Sequence, residues 1–239
     1  MTDEIFARDD AADARAFYLQ RTFRSLLDAM ARPGEVVEVT RDIQGDPLDA
    51  AASGLTEPAL ALADVLLDAA TTVAVAGDEG DRAAAVLARR THATACAAGE
   101  AAFAFVPTTV RGDAARGFVR ELSPGTLLDP HRGATCIVGC DTLVGVDRAG
   151  VRTGAVAGAS AVGLWELSGP GIRTTVRIEL DRTDVMQARD ARADEFPCGI
   201  DLVFVDGAGH VLCLPRTTHA ASLEVGMRAD RKGGASWDM

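Results

Sequence analysis

Apolar residues recur at helical spacing in several stretches of the chain. The first stretch runs from about Asp9 to Ala31 and predicts an amphipathic helix, which Pro33-Gly34 ends. A second helix is predicted to begin near Thr56, which can cap it, because Pro58 fits the first turn of a helix without losing a hydrogen bond. Further helices are predicted at 81–90, 113–122 and 184–193.

Short runs of β-branched and aromatic residues separate these helices and predict strands. The runs are 35–40, 72–76, 102–106, 134–140, 174–180 and a hairpin of 199–205 with 210–215. Alternating helices and strands indicate an α/β fold with a largely parallel or mixed sheet covered by helices. Residues 42–53 have the composition of a loop, and Gly145 to Gly163 have neither period, so the latter segment is predicted to be a surface excursion or mobile loop.

The totals of the sequence indicate one globular domain. The chain has 239 residues, of which 48% are hydrophobic and 25% charged, and we expect a single domain over 1–239 with its core at about 9–220 and a flexible tail at 221–239. A net charge of -11 disfavours nucleic acid as a partner. No apolar run is long enough to span a membrane and the first residues are acidic, so we expect a cytoplasmic protein without a membrane partner.

The cysteines and lysines limit the chemistry that the chain can support. Five cysteines at unrelated spacings predict buried free thiols, and Cys136 and Cys140 would lie about 13 Å apart on one strand, too far to share a metal or a disulfide. The single lysine is Lys232, so the chain lacks a phosphate-binding loop of the lysine type. We expect no metal, no cofactor and no catalytic residue.

The C-terminal hairpin holds the first candidate anion site. Pairing Val205 with His210 would place Gly199 opposite Arg216 and Asp201 diagonally from it. That arrangement predicts either a structural ion pair or a bidentate contact of the arginine with an anion, and the ion pair is the commoner outcome. The cluster of possible donors consists of Asp201, Arg216, Thr217, Thr218 and His219.

A second candidate surface lies at the end of the first helix. Arg24 and Arg32, with Pro33 and Gly34, can either stabilise the helix end or contact an anionic partner. The Gly-rich stretch Leu167 to Ile172 could present backbone N–H groups to a phosphate, although a tight turn between strands is the commoner use of such a sequence.

Five segments of the chain, taken together in order and spacing, resemble the H subunit of the carbon–phosphorus lyase system, the PhnH family. The most specific are the two C-terminal sequences FPCGIDL and PRTTH. The resemblance does not cover the acidic beginning, the enlarged segment 145–163 or the tail. The segments are Phe23–Glu35, Leu60–Gly77, Leu122–Thr126 with Gly133–Thr135, Leu167–Ile172, and Phe196–Leu202 with Pro215–His219.

The resemblance implies a three-layer α/β/α fold with a mixed, largely parallel sheet, related to pyridoxal-phosphate-dependent transferases, together with a homodimer and a core complex with the G, I and J subunits. In that system ATP and methylphosphonate give ribose 1-methylphosphonate 5-triphosphate. A pyridoxal enzyme needs a lysine amine, and Lys232 lies in the tail, so we expect the fold without the cofactor and a non-catalytic accessory subunit. The alternative is a subunit that itself binds a phosphonate or a nucleotide through the Arg/Thr/His site and takes part in the transfer.

Overall fold

The computed structural model describes residues 2–39, 47–156 and 161–223. This part of the chain contains six α-helices and twelve strands. The helices are α1 (Thr2–Ala31), α2 (Pro47–Ser53), α3 (Glu57–Leu66), α4 (Gly80–Thr91), α5 (Gly112–Glu121) and α6 (Thr183–Asp190). The strands are β1 (Val37–Glu38), β2 (Thr72–Val75), β3 (Thr94–Ala95), β4 (Phe103–Val106), β5 (Thr135–Cys140), β6 (Leu143–Val146), β7 (Arg152–Ala155), β8 (Gly163–Ser168), β9 (Val176–Leu180), β10 (Asp201–Asp206), β11 (His210–Leu214) and β12 (His219–Leu223).

Local sequence signals explain several helix ends. The Thr56 hydroxyl accepts a hydrogen bond from the Ala59 N–H at the start of α3, and Pro58 lies in its first turn, as predicted. Helix α1 ends before Gly34, whose φ of 89° favours glycine. The prediction of a loop at 42–53 is wrong for its described part, because 47–53 form α2 and the Ser53 hydroxyl donates back to the Asp49 carbonyl inside that helix.

The larger sheet has seven strands in the order β1-β11-β10-β5-β4-β2-β3. Strands β10, β5, β4, β2 and β3 pair in parallel, and the β1–β11 and β10–β11 pairs are antiparallel. The α/β class and the mixed, largely parallel sheet are therefore confirmed. The buried strands read as continuous apolar runs because helices or a second sheet cover both of their faces.

A second sheet of five antiparallel strands, in the order β12-β8-β9-β6-β7, was not predicted. The expectation of an irregular excursion at 145–163 is wrong where the structure describes it, because this segment contains the end of β6, all of β7 and the start of β8; 157–160 lie outside the described residues. Glycine hides the pattern: Gly154 has φ 119°, and a Cβ there would collide with the Leu143 carbonyl of the paired strand.

The core has two parts, one on each face of the seven-stranded sheet. On one face, α1, α3 and α4 cover apolar residues such as Phe105, Ile137 and Val203. On the other face, α5 and α6 share the layer with the second sheet, which contributes Trp165 and Ile178. The outer layer opposite α1 is thus not made of helices alone. Strand β12 extends past the predicted core end at 220, and the tail after residue 223 lies outside the described residues.

Candidate functional site

Four of the five sequence segments on which the family resemblance depends lie next to one another in the fold. The turn between β8 and β9 belongs to one of them and lies between two others, since a Cβ at Gly169 would touch the Thr217 carbonyl and a Cβ at Gly171 would collide with Ala31 and Pro33. The Gly199 N–H donates to the Pro124 carbonyl at 2.9 Å, which adds a fourth segment. Segments far apart in sequence therefore build one surface.

Arg216 and Asp201 form the predicted ion pair. Arg216 Nη2 lies 2.6 Å from Asp201 Oδ2, and the Arg216 backbone N–H donates to Asp201 Oδ1 at 2.7 Å. Arg216 Nη1 donates to the Pro130 carbonyl at 2.8 Å. Gly133 lies against this guanidinium, so that a Cβ there would collide with it. The hydrogen bond and charge of Asp201 raise the pKa of Arg216 above its ordinary value and fix the guanidinium as a structural cation.

The predicted register of the hairpin is wrong by one residue. Val205 pairs with Val211 rather than with His210, and Leu202 pairs with Leu214. The one-residue shift moves the apolar side chains of β11 to the opposite face of the sheet. Gly199 nonetheless lies beside Arg216, because a Cβ at Gly199 would be 3.5 Å from the Arg216 Cβ. The ion pair forms all the same because Arg216 lies beyond the end of β11 and its side chain reaches back to the first residue of β10.

The second predicted surface, at the end of α1, is built differently. Arg32 forms ion pairs with Asp28 at 2.9 Å and with Glu35 at 2.7 Å, and its guanidinium stabilises this helix end. Arg24 is exposed on α1, whereas Pro33 and Gly34 are buried under the β8–β9 turn and β9. None of these four residues lines the cleft that contains Arg216. The structure therefore does not bring the two predicted sets into one site.

A cleft of about 250 Å³ lies where α6, the segment 193–200 and the start of β12 meet. Three of the predicted residues line it, namely Arg216, Thr218 and His219; Asp201 lies behind Arg216, and Thr217 is not among the lining residues. The His219 ring lies 6.3 Å from the ring of Phe196, which is exposed. The other charged or thiol side chains of the lining are Arg189, Asp190, Arg192, Glu195 and Cys198.

Arg189 also lines the cleft and is not among the residues that the sequence singled out. Its Nη2 donates to the carbonyls of Pro215 at 3.1 Å and Thr218 at 2.5 Å, and thereby fixes the turn before β12. Burial lowers the pKa of Arg189 below its ordinary value, although the charges of Asp201 and Asp190 oppose that effect. Nothing in the spacing of the charged helix 184–193 distinguishes this arginine from its neighbours, so only the fold identifies it.

The Thr218 side chain is buried, with 2% of its surface exposed, and its hydroxyl has no hydrogen-bond partner among the described residues. Buried polar groups are nearly always paired, and an unpaired one requires an explanation. Arg192, by contrast, is fully engaged: it pairs with Glu195 at 2.9 Å and donates to the carbonyls of Val119 and Leu122.

The thiols and the acidic residues give no metal site within the part of the chain that the structure describes, where no three His, Cys, Asp or Glu side chains converge. All five cysteines are free, and three are buried. Burial raises the pKa of the Cys136 thiol to about 12, and the pKa values of Cys140 and Cys213 also lie well above the ordinary value for the same first reason. None of the described helices is both long and apolar enough to cross a membrane.

Comparison with known proteins identifies the family to which this chain belongs. A search of curated proteins returns no similar sequence. The model of one family, described as bacterial phosphonate metabolism protein (PhnH), matches residues 11–221, which include every segment named above as similar to that family. The chain therefore belongs to the PhnH family and has a role in phosphonate metabolism.

Proposed function

We propose that this chain is an accessory, non-catalytic subunit of the carbon–phosphorus lyase core complex. It acts as a cytoplasmic homodimer with the G, I and J subunits and supports the formation of ribose 1-methylphosphonate 5-triphosphate from ATP and methylphosphonate. The observation on which the proposal depends is the family match over 11–221. The relationship of the fold to pyridoxal-phosphate-dependent transferases is part of the same proposal and has the same basis.

The chemistry of the described residues supports a binding role. Lys232, the only lysine, lies outside them, so the described residues hold no amine that could attach pyridoxal phosphate and do not fit that cofactor. Two of the predicted site arginines are neutralised within the chain, Arg216 by Asp201 and Arg32 by Asp28 and Glu35. Such pairs build a rigid surface rather than activate a nucleophile or a base.

An exposed apolar loop next to the cleft supports docking onto a partner chain. Leu127 and Leu128 are 77% and 93% exposed at the tip of a loop that is closed at its base by the Pro124–Gly133 bridge. Phe196 is 59% exposed on the segment that is joined to this base through Gly199. Large apolar side chains exposed together on one surface are typical of protein interaction sites.

Co-purification tests this proposal. The tagged chain is co-expressed with the G, I and J subunits of the same genome, and we expect all four to elute as one complex. A variant with both Leu127→Asp and Leu128→Asp should lose the complex, because two charges cannot be buried in an apolar contact. Val151→Asp provides the control, since Val151 is also exposed, at 60%, but belongs to the turn between β6 and β7. Failure of the parent chain to associate with any of the three subunits would contradict the proposal.

A second candidate function is favoured by one specific observation. The subunit would itself bind a phosphonate or a nucleotide in the cleft and take part in the transfer. The cation available for this is not Arg216, which Asp201 neutralises, but Arg189, which has no carboxylate within ion-pair distance among the described residues.

A further inference from the structure

Among the described residues, Arg189 donates hydrogen bonds only to backbone carbonyls, and the carboxylates of Asp201 and Asp190 attract its charge from beyond ion-pair distance. Both recorded hydrogen bonds of its guanidinium use Nη2, so Nε and Nη1 keep N–H donors without a partner among the described residues. The residue is half-buried and lines the cleft. A partly desolvated arginine with free donors is a favourable position for an anion, because the attraction is screened less there than in open water.

The other charges of the cleft limit where that anion can lie. Arg216 and Arg192 are each paired with a carboxylate, so an anion gains less by approaching them. Asp190 and Glu195 also line the cleft and repel an anion. The favourable position is therefore the wall formed by Arg189 together with the turn that leads into β12.

Thr218 lies on the same wall. Arg189 Nη2 donates to the Thr218 carbonyl, while the hydroxyl of the same residue is buried without a partner. Leaving a buried hydroxyl unpaired is unfavourable unless a ligand or water completes it. The hydroxyl oxygen is enclosed, so the Thr218 side chain has to turn toward the cleft before the hydroxyl and the guanidinium can together hold the oxygen atoms of a tetrahedral oxyanion.

A second cavity of about 330 Å³ adjoins the cleft and shares Arg189, Asp190, Ala220 and Ala221 with it. Apolar residues, among them Trp165, Met186 and Leu164, form much of its lining. Arg189 thus lies between a cleft rich in charged side chains and a more apolar cavity. The arrangement suits a ligand with one anionic head and an organic substituent.

We propose that Arg189 and Thr218 form a binding site for a tetrahedral phosphorus oxyanion that bears an organic substituent. The head lies against the guanidinium and the hydroxyl in the first cavity, and the substituent extends toward the second. This inference rests on the second candidate function and replaces Arg216 by Arg189 as the ligand-binding cation. A phosphonate and a phosphate ester such as a nucleotide share this head, and the experiment distinguishes them.

Isothermal titration of the full chain with methylphosphonate, ATP and inorganic phosphate tests the site. Thr218→Val should weaken binding about tenfold, because it removes one hydrogen bond to a charged ligand. Its melting temperature should equal or exceed that of the parent chain, since the lost hydroxyl has no partner within the described structure. Thr217→Val is the matched control, because Thr217 does not line the cleft. Arg189→Gln should weaken binding about a hundredfold while its amide can still donate to a carbonyl.

The titrant that binds more tightly identifies the class of ligand that carries the phosphorus oxyanion. Tighter binding of methylphosphonate identifies a phosphonate site, and tighter binding of ATP identifies a nucleotide site; both support the inference. Absence of binding by all three titrants, or equal affinities in the parent chain and Thr218→Val, overturns it. Co-purification of Thr218→Val with the G, I and J subunits is measured in parallel, so that loss of ligand binding with an intact complex leaves the accessory role standing.

Discussion

Two arginines at opposite ends of α6 differ in their burial and in the partners of their guanidinium groups. Arg182 immediately precedes the helix, is fully buried, and donates to the carbonyls of Gly139 at 2.6 Å and Val110 at 2.8 Å as well as to the carboxylate of Asp184. Arg189 lies in the last turn, faces a cleft and has only carbonyl partners. The first guanidinium has a carboxylate at ion-pair distance, and the second has none among the described residues.

This difference distinguishes a structural cation from a functional one in an arginine-rich chain. Arg182 joins β5, the loop after β4 and α6, and its counter-charge lies within the chain. Arg189 fixes one turn with a single nitrogen and leaves its remaining donors directed at no described residue. We infer that loss of Arg182 mainly affects folding and loss of Arg189 mainly affects binding.

The largest effect is expected from Arg182→Met. The substitution leaves the buried Asp184 carboxylate without its cation and the carbonyls of Gly139 and Val110 without this donor, so the free energy of unfolding should fall by about 3–5 kcal/mol. Urea denaturation measures this loss. Arg116→Met is the matched control, because Arg116 pairs with an exposed Asp113 and should cost less than about 1 kcal/mol. Equal losses in the two variants would contradict the structural role of Arg182.

A smaller effect on stability is expected from Arg189→Gln. The variant loses hydrogen bonds to the carbonyls of Pro215 and Thr218 but also removes a partly desolvated charge, so the free energy of unfolding should fall by about 1 kcal/mol. The same denaturation experiment measures it. A loss as large as that of Arg182→Met would mean that the two arginines do not differ in role.

Acid should weaken the Arg182 end of the helix. Burial alone would raise the pKa of the Asp184 carboxyl, but Arg182 and the N–H groups of Val185 and Gly112 outweigh burial, so its pKa lies below the ordinary value. The resulting stability is fully present above the unfolded-state pKa of about 3.9 and is lost as the pH falls below it. Unfolding of Asp184→Asn should show less dependence on pH below about 4 than unfolding of the parent chain; equal dependence would contradict this.

Much of the larger sheet could be predicted because its strands are continuous apolar runs between helices with recognisable ends, such as Thr56 and Pro58 at α3. The second sheet could not be predicted from the sequence. Strands β7 and β8 each contain a glycine, and β7 also has exposed residues. The pairing of β7 depends on long-range contacts such as Gly154 against Val144, which leave no local period in the sequence.

The candidate site could be predicted only in part. The Asp201–Arg216 pair followed from the proximity of two strand ends, which tolerates the one-residue error in the hairpin register. The importance of Arg189 could not be predicted, because it depends on which arginines find a carboxylate in three dimensions. The sequence identifies Thr218 as a possible donor just after the last predicted strand, but the lack of a partner for its hydroxyl is a property of the packed turn.

Protection of Cys198 from alkylation measures occupancy of the cleft most directly. Cys198 lines the cleft and Cys96 does not, yet both are half-buried, so Cys96 is an internal control in the same chain. Methylphosphonate or ATP at a concentration that saturates the parent chain should slow the alkylation of Cys198, measured by mass spectrometry. The alkylation of Cys96 should not change, and neither should that of Cys198 in Arg189→Gln. Equal alkylation rates of Cys198 with and without both ligands would contradict anion binding at Arg189.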